Sequence, residues 1–262
     1  MKEMHSSISD WNNQMCMKEV LKRKIRDFMV MSRMGITRNL RYDIQTRDCL
    51  KKILKPGSNC IDVGAHEGEI LDLMLQYAPE GKHHAFEPIP SFYHRLKQKY
   101  GSKVVILNCA LADEQGNATF QFVKNAPAYS GLKKRTYAVD PEIEEIHVEV
   151  NLLDQIIPET HSVDLIKIDV EGAELGVLKG ARKLIERNRP YLIFECGLGA
   201  SEHYGTEPEM VYDFMHSCGL GIFLLDDFLK EKEALSREKF SEIFCNNAEY
   251  YFLAGPIQKK NK

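Results

Sequence analysis

From residue 59 onward, short apolar runs alternate along the chain with segments in which apolar residues recur at helical spacing. The apolar runs predict seven strands, near residues 59–63, 83–87, 103–108, 163–168, 190–195, 220–225 and 249–254. Helical spacing predicts helices near residues 67–78, 90–100, 174–187 and 207–217. Strands that alternate with helices are typical of a parallel sheet with helices on both faces. The pattern therefore predicts an α/β fold with a doubly wound parallel sheet.

The alternation is interrupted between residues 114 and 151. Thr119–Val123 and His147–Asn151 have the pattern of strands, whereas the stretch between them is polar. Such a segment resembles an inserted hairpin or flap more closely than a strand–helix–strand unit. We therefore predict one domain over residues 43–262, with a helix near 43–54 before the first strand and this insert within it.

The first 42 residues form a separate region, with a polar tail followed by a basic amphipathic helix. Apolar residues recur at helical spacing from Met17 to Met29, and five lysines and arginines lie between residues 18 and 26. This helix could pack on the main domain, or on a second copy of the chain in a homodimer, with its charged face in water. It could instead contact a membrane surface or an anionic partner.

Composition and charge limit the class of protein. The 262 residues include 35 lysines and arginines against 38 aspartates and glutamates, which argues against a protein that mainly binds nucleic acid. No stretch approaches the roughly 20 apolar residues of a transmembrane helix, and the N-terminus lacks the pattern of a signal peptide. The seven cysteines are scattered without a C-x-x-C pair, which is typical of reduced thiols. We therefore expect a cytoplasmic protein without a nucleic acid partner.

The first predicted strand ends in a glycine turn, Asp62-Val63-Gly64-Ala65-His66-Glu67-Gly68. Glycine lets the backbone approach a ligand closely, and the helix that follows presents free N–H groups. Glu87, followed by Pro88, ends the second strand about 20 residues further on, where an acidic residue suits a ribose diol. These features predict a nucleoside-type cofactor site at the carboxyl ends of the strands. An ordinary turn and a surface glutamate are the alternative.

The spacing of the glycines bears on which nucleoside cofactor is bound. The G-x-G-x-x-G pattern of dinucleotide sites is absent, which disfavours an oxidoreductase that uses nicotinamide. A Tyr-x-x-x-Lys match at Tyr129 and Lys133, the kind of pair found in short-chain dehydrogenases, lies in the insert without helical context and is interpreted as chance. The spacing of Asp62, Gly64 and Gly68 better fits S-adenosylmethionine, which has no pyrophosphate.

Carboxylates gather at the ends of the fourth and fifth predicted strands, where Asp169, Glu171, Glu174 and Glu195 lie. Such a cluster is repulsive unless cations or hydrogen-bond donors offset it. It could bind the ammonium of a methionine moiety, accept a proton from an acceptor, or hold a divalent cation, although we do not expect a metal. Glu171 and Glu174 could instead only favour the N-terminus of the next helix. The candidate catalytic residues are Asp169, Glu171 and Glu195.

From about residue 43 to 254, the chain resembles the FkbM family of S-adenosylmethionine-dependent methyltransferases. The resemblance is carried by residues 62–68, 86–88, 108–113 with Gly116, and 167–174, of which the last is the most discriminating. It implies the Rossmann-like sheet of a class I methyltransferase, with seven strands that are mostly parallel and a last strand that is antiparallel.

The resemblance also implies roles for individual residues. Residues 64–66 would lie along the methionine part of S-adenosylmethionine, Glu87 on the ribose hydroxyls, and residues 108–113 around the adenine. Asp169 would lie near the methionine amine and the transferring methyl group. The family usually has asparagine where this chain has His66, whose titration could make activity pH-dependent. The cofactor-binding residues predicted in this way are Asp62, Gly64, Ala65, His66, Gly68, Glu87, Pro88, Asn108, Ala110, Leu111, Asp113 and Asp169.

The resemblance further implies methyl transfer to a hydroxyl of a sugar or small natural product, with S-adenosylhomocysteine as the product. Because some relatives methylate nitrogen in peptides, an N-methyltransferase with a peptide, amide or amine acceptor is an alternative. A further alternative is a non-catalytic module that binds a nucleoside cofactor. Such a module would not need the carboxylates at the strand ends, so their presence argues against it. His203 and Tyr204, in the glycine-containing loop 197–206, could reach the acceptor, and this loop could act as a lid.

Overall fold

The computed structural model describes residues 37–135, 137 and 140–257. The basic helix predicted near Met17–Met29, together with its predicted role in a homodimer, lies outside the described residues. Within the part of the chain that is described, no helix has the length and the apolar character needed to cross a membrane.

The chain divides into two compact units, residues 1–48 and 49–262. The division falls within helix α1 (Arg38–Ile53), which begins earlier than the helix predicted near residues 43–54. The domain organisation proposed from the sequence, with a boundary at residue 43, stays a prediction.

Seven of the described strands form the main sheet, and three form a smaller one. The strands are β1 (Cys60–Val63), β2 (His83–Phe86), β3 (Val104–Leu107), β4 (Ala110–Leu111), β5 (Gly116–Val123), β6 (Ile143–Asn151), β7 (Leu165–Ile168), β8 (Tyr191–Glu195), β9 (Leu220–Leu224) and β10 (Tyr251–Pro256). The main sheet has the order β3-β2-β1-β7-β8-β10-β9. Its last strand, β10, is antiparallel to β8 and β9, whereas the other neighbouring strands are parallel. The predicted Rossmann-like α/β fold with an antiparallel last strand is therefore confirmed.

Helices flank these strands. Besides α1, the described helices are α2 (Glu69–Tyr77), α3 (Pro90–Tyr100), α4 (Leu153–Ile156), α5 (Glu174–Gly180), α6 (Arg182–Asn188), α7 (Pro208–Ser217), α8 (Leu225–Leu229) and α9 (Arg237–Cys245). The strands at the centre of the sheet, β1 and β7, are buried at every position. This is the burial expected of strands that read as nearly continuous apolar runs.

The single helix predicted near residues 174–187 is wrong, because the chain forms two helices there. Gly180 packs so closely on Ala112 that an added Cβ would lie 2.0 Å from the Ala112 carbonyl oxygen. The chain leaves helical geometry at Ala181, with φ −113° and ψ 9°. A new helix then begins, and the Asp154 carboxylate accepts hydrogen bonds from the Lys183 and Leu184 amides at 3.0 and 2.8 Å. This cap stabilises the second N-terminus.

The segment between residues 114 and 151 contributes β5 and β6 to the smaller sheet, which has the order β4-β6-β5 and takes β4 from the residues just before this segment. Strands β5 and β6 pair as an antiparallel hairpin from Gly116 opposite Val150 to Val123 opposite Ile143. Both are longer than the predicted strands, and β4, which runs parallel to β6, was not predicted. The buried side chains of this sheet pack with those of Ile89 and Phe92. The insert is thereby held close to the carboxyl ends of β1 and β2.

Candidate active site

The turn after β1 is built around Gly64, which has a φ of 76°. The Gly64 and Ala65 amides both donate to the Phe86 carbonyl, at 3.0 and 3.1 Å. A Cβ at Gly64 would lie 2.0 Å from the Asp169 carbonyl oxygen. Both the left-handed conformation and this close approach require glycine. The turn therefore brings the carboxyl ends of β1, β2 and β7 together.

Glu87 lies at the end of β2 and faces this turn. It is 3% exposed, and its two carboxylate oxygens accept hydrogen bonds from the His66 and Ile89 amides, each at 2.8 Å. Burial raises the pKa of Glu87 to about 7, although these two amides oppose the shift. The Asn108 side chain donates to the carbonyls of Glu87 and Pro88 at 2.8 and 3.0 Å. Since a carboxylate has about four lone-pair sites, Glu87 retains capacity for ribose hydroxyls.

His66 adopts a left-handed φ of 48°, which is uncommon for a residue other than glycine. Its ring packs on Phe92, with 4.3 Å between the ring centroids. Burial lowers the pKa of His66, which favours the neutral imidazole at pH 7. Its Nε2 atom is buried without a hydrogen-bond partner among the described residues. A buried polar atom of this kind fits a site that a ligand completes.

Asp62 and Lys167 form an ion pair in the middle of the main sheet. They are register partners on β1 and β7, and their side chains are only 1% and 6% exposed. The Lys167 ammonium lies 3.3 Å from an Asp62 carboxylate oxygen and donates to the Gly64 carbonyl at 2.7 Å. Burial opposes the charge on Lys167, but the carboxylates of Asp62 and Asp169 outweigh it and raise its pKa. The pair therefore holds the glycine turn from within the sheet.

Lys167 was not predicted as a site residue. Its sequence signal is a charged residue inside an otherwise apolar strand, Leu165-Ile166-Lys167-Ile168. Because charged side chains are rarely buried unless they are paired, such a lysine indicates a buried acidic partner. The register between β1 and β7, which identifies this partner as Asp62, is available only from the structure.

Asp169, Glu171 and Glu195 form an acidic cluster at the ends of β7 and β8. Each residue offers one carboxylate oxygen, and these oxygens lie within 4.8 Å of one another. Burial and the nearby carboxylates of Asp169 and Glu174 raise the pKa of Glu195 well above its usual range, although Arg135 opposes the shift. A hydrogen bond with Asp169 contributes to this shift, which favours the protonated form of Glu195. The oxygens are of the type that hard divalent cations prefer.

Glu174 is also predicted from the acidic motif, but it supports the backbone of the turn. Its carboxylate accepts hydrogen bonds from the Val170 and Gly172 amides at 3.0 and 3.1 Å. Burial raises the pKa of Glu174 to about 7. These contacts lie in the turn before α5, so the interpretation of Glu174 as favouring the N-terminus of that helix stays a prediction.

The insert supplies a cation to the acidic cluster. Arg135 forms a partly buried ion pair with Glu171, and their side chains are 12% and 16% exposed. The Arg135 guanidinium also lies 5.2 Å from the centroid of the Tyr129 ring. Arg135 was not predicted, because it follows two lysines in a polar stretch and only tertiary structure distinguishes it from them.

The insert also contacts the short 3₁₀ helix Ser201–Tyr204 in the predicted lid loop. The Lys133 amide donates to the Tyr204 hydroxyl at 3.0 Å, and its ammonium donates to the His203 carbonyl at 3.2 Å. Burial raises the pKa of Tyr204 to about 12, so the phenol stays neutral. The Tyr129–Lys133 match was interpreted as chance from the sequence. Both residues lie beside the acidic cluster, but they do not lie on one helix, as the dehydrogenase interpretation would require.

The combination of this sheet order, a glycine turn after β1 and acidic strand ends can be compared with known proteins. The profile of the methyltransferase FkbM domain matches residues 62–220, which is more than half of the chain. The chain belongs to the FkbM methyltransferase family. The matched region begins at Asp62 and includes the turn, Glu87, the insert and the acidic cluster.

Among the relatives that match parts of this FkbM chain are two methyltransferases. Methyltransferase sdnD of Sordaria araneosa is 31% identical over 152 residues, which cover 46% of this chain and 59% of the relative. The 2-O-methyltransferase NoeI of Sinorhizobium fredii (strain NBRC 101917 / NGR234) is 24% identical over 163 residues, 55% of this chain and 65% of the relative. The chain thus spans less than two thirds of each relative. The crystal structure of methyltransferase FkbM from Methylobacillus flagellatus KT covers 91% of this chain and 60% of its own, at 14% identity and a TM-score of 0.48.

Three residues predicted for the adenine in this FkbM domain lie in and after strand β4. Ala110 and Leu111 are buried and pair with Val150 and Asn151 of the smaller sheet. Asp113 is exposed, and one of its carboxylate oxygens lies 3.5 Å from the position of an added Cβ at Gly176 in α5. The role of these residues toward a cofactor stays a prediction.

Proposed function

We propose that this protein is an S-adenosylmethionine-dependent methyltransferase that methylates a hydroxyl of a sugar or another small natural product. The observation that carries the proposal is the juxtaposition of two features at one edge of the sheet. The Gly64 turn and Glu87 suit a nucleoside cofactor, and the Asp169–Glu195 pair, at the ends of neighbouring strands, suits an acceptor proton. Membership in the FkbM family supports methyl transfer, and the name of the relative NoeI supports transfer to oxygen.

Four features at this edge of the sheet fit the cofactor. The left-handed glycine lets the backbone approach a ligand, and Glu87 has spare lone pairs for a ribose diol. The buried Nε2 atom of His66 offers a further hydrogen bond. The half-buried carboxylate of Asp169, at the end of β7, suits the ammonium of an amino-acid tail.

When bound, S-adenosylmethionine supplies a methyl group on a positively charged sulfur, which a nucleophile displaces in line. An alcohol is a weak nucleophile, so its proton must pass to a base during transfer. In the proposed mechanism Asp169 accepts this proton, and its hydrogen bond with Glu195 spreads the charge over the pair. Lys167 contributes by holding the Gly64 carbonyl, because transfer requires the reacting atoms to be aligned at about 3 Å.

The proposal is tested by methyl transfer from labelled S-adenosylmethionine to a panel of sugars, small hydroxylated compounds, amines and peptides, with products identified by mass spectrometry. We expect label on a hydroxyl. We expect Asp169→Asn to lose transfer by a larger factor than its affinity for S-adenosylhomocysteine falls, because this carboxylate both faces the ammonium and accepts the proton. Glu159→Gln, which changes an exposed carboxylate between α4 and β7, is the control for loss of a charge. Label found only on nitrogen would overturn the hydroxyl assignment, and full transfer by Asp169→Asn would remove Asp169 from the mechanism.

The acceptor is the proposed partner of this site. We propose that a small molecule reaches it between the insert and the 197–206 loop. A cytoplasmic location and the lack of a nucleic acid partner stay predictions.

A further inference from the structure

The acidic cluster of Asp169, Glu171 and Glu195 has a cation from the chain itself. The Arg135 guanidinium binds a Glu171 carboxylate oxygen, and both side chains are largely removed from water. A charge-assisted hydrogen bond is stronger in such a setting than at the surface. The ion pair joins the insert, which carries Arg135, to the turn after β7, which carries Glu171.

Arg135 is held in place from two further sides. Its guanidinium lies over the Tyr129 ring of the insert at 5.2 Å, a distance at which a cation is attracted to an aromatic face. A terminal nitrogen lies 3.7 Å from the position of an added Cβ at Gly199, in the 197–206 loop. Its Nε atom is buried and lacks a hydrogen-bond partner within the described ranges. The guanidinium therefore lies between both walls of the proposed acceptor site.

We propose, on the basis of the proposed function, that Arg135 is a positioning residue of the transfer site, in which its guanidinium serves as the resident cation at Glu171. The Lys167 ammonium lies 3.9 Å from a carboxylate oxygen of Asp169, another member of the acidic cluster. A divalent ion bound by all three carboxylates would have to compete with Arg135 for Glu171. While Arg135 holds Glu171, the Asp169–Glu195 pair remains available for the acceptor proton.

This role has a consequence that can be measured without an acceptor. S-adenosylmethionine carries a positive sulfur, and S-adenosylhomocysteine does not, so the ratio of their affinities reports the charge of the acidic cluster. Loss of the Arg135 charge leaves Glu171 unpaired and makes the cluster more negative. Loss of the Glu171 charge has the opposite effect, because the guanidinium then remains without its carboxylate.

The experiment compares the full-length wild type, Arg135→Met and the control Lys134→Met, which removes the neighbouring exposed lysine that pairs with Glu145. Calorimetry measures binding of Mn²⁺, S-adenosylmethionine and S-adenosylhomocysteine. We expect no saturable Mn²⁺ binding by the wild type or Lys134→Met. Arg135→Met should gain Mn²⁺ binding and shift the affinity ratio severalfold toward S-adenosylmethionine. The added change Glu171→Gln should abolish both effects.

Two results would overturn the inference. One is saturable Mn²⁺ binding by the wild type that Glu171→Gln abolishes, because the cluster would then be a metal site. The other is an Arg135→Met variant that gains no Mn²⁺ binding and keeps the wild-type affinity ratio. If Arg135→Met does not fold, the variant Glu171→Gln tests the inference by itself, because it must shift the ratio of the two nucleoside affinities toward S-adenosylhomocysteine. If the wild type binds neither nucleoside, the proposed function fails, and the Mn²⁺ measurement still decides whether Arg135 is the resident cation.

Discussion

Replacement of Lys167 by methionine is expected to destabilise the fold strongly, because it leaves the Asp62 carboxylate buried without its cation. The side chains of the two residues are 6% and 1% exposed, and Lys167 also donates to the Gly64 carbonyl. Loss of one partner from a buried ion pair costs about 3–5 kcal/mol. Since each kcal/mol lowers the melting temperature of a domain of this size by about 2–4 °C, the expected decrease is about 6–20 °C.

Urea and thermal unfolding, followed by circular dichroism, measure this effect. Lys124→Met is the matched control, because Lys124 is half exposed and pairs with an equally exposed Glu144, so we expect an almost unchanged midpoint. Adding Asp62→Asn to Lys167→Met should restore part of the stability, because the uncompensated charge is removed. Equal destabilisation by Lys167→Met and Lys124→Met would refute the reasoning.

Three further predictions concern the surroundings of the site. Gly172→Ala should cost about 2–4 kcal/mol in urea unfolding, because Gly172 has a φ of 103° and an added Cβ would lie 2.5 Å from the Ala200 carbonyl oxygen; a neutral effect would contradict this packing. Asp154→Ala should cost about 1–2 kcal/mol by removing the cap of α6, and an unchanged urea midpoint would argue against the cap. Burial and the nearby His161 lower the pKa of His84 from 6.5 to about 4, so between these values the unfolded chain binds the proton and stability falls as the pH falls. His84→Asn should weaken the pH dependence of the melting temperature between pH 6.5 and 4. A pH dependence equal to that of the wild type would exclude His84 as its cause.

Features encoded by neighbouring residues were predicted well. The seven strands of the main sheet follow from local apolar runs, and the glycine turn and Glu87 follow from local motifs. The break between α5 and α6 was missed because its causes, the approach of Ala112 to Gly180 and the cap from Asp154, are tertiary contacts. A hydrophobic pattern carries no trace of either contact.

The electrostatics of the site were predicted only in part. The carboxylates at the ends of β7 and β8 were expected to meet, because parallel neighbours end at one edge of a sheet, and the structure brings their oxygens together. The cations that offset them were missed. Lys167 could have been found as the charged residue of an apolar strand, but nothing in the polar insert distinguishes Arg135 from its neighbours Lys133 and Lys134.

Nucleoside binding by Gly64→Ala tests the central claim most directly. A Cβ at Gly64 would meet the Asp169 carbonyl oxygen at 2.0 Å in a left-handed turn, whereas Gly57, the matched control, has open space around its Cβ position. Calorimetry should show that the wild type and Gly57→Ala bind S-adenosylhomocysteine but not NAD, and that Gly64→Ala, checked for folding by circular dichroism, loses this binding. Binding of S-adenosylhomocysteine that survives Gly64→Ala, or a wild type that prefers NAD, would contradict the account.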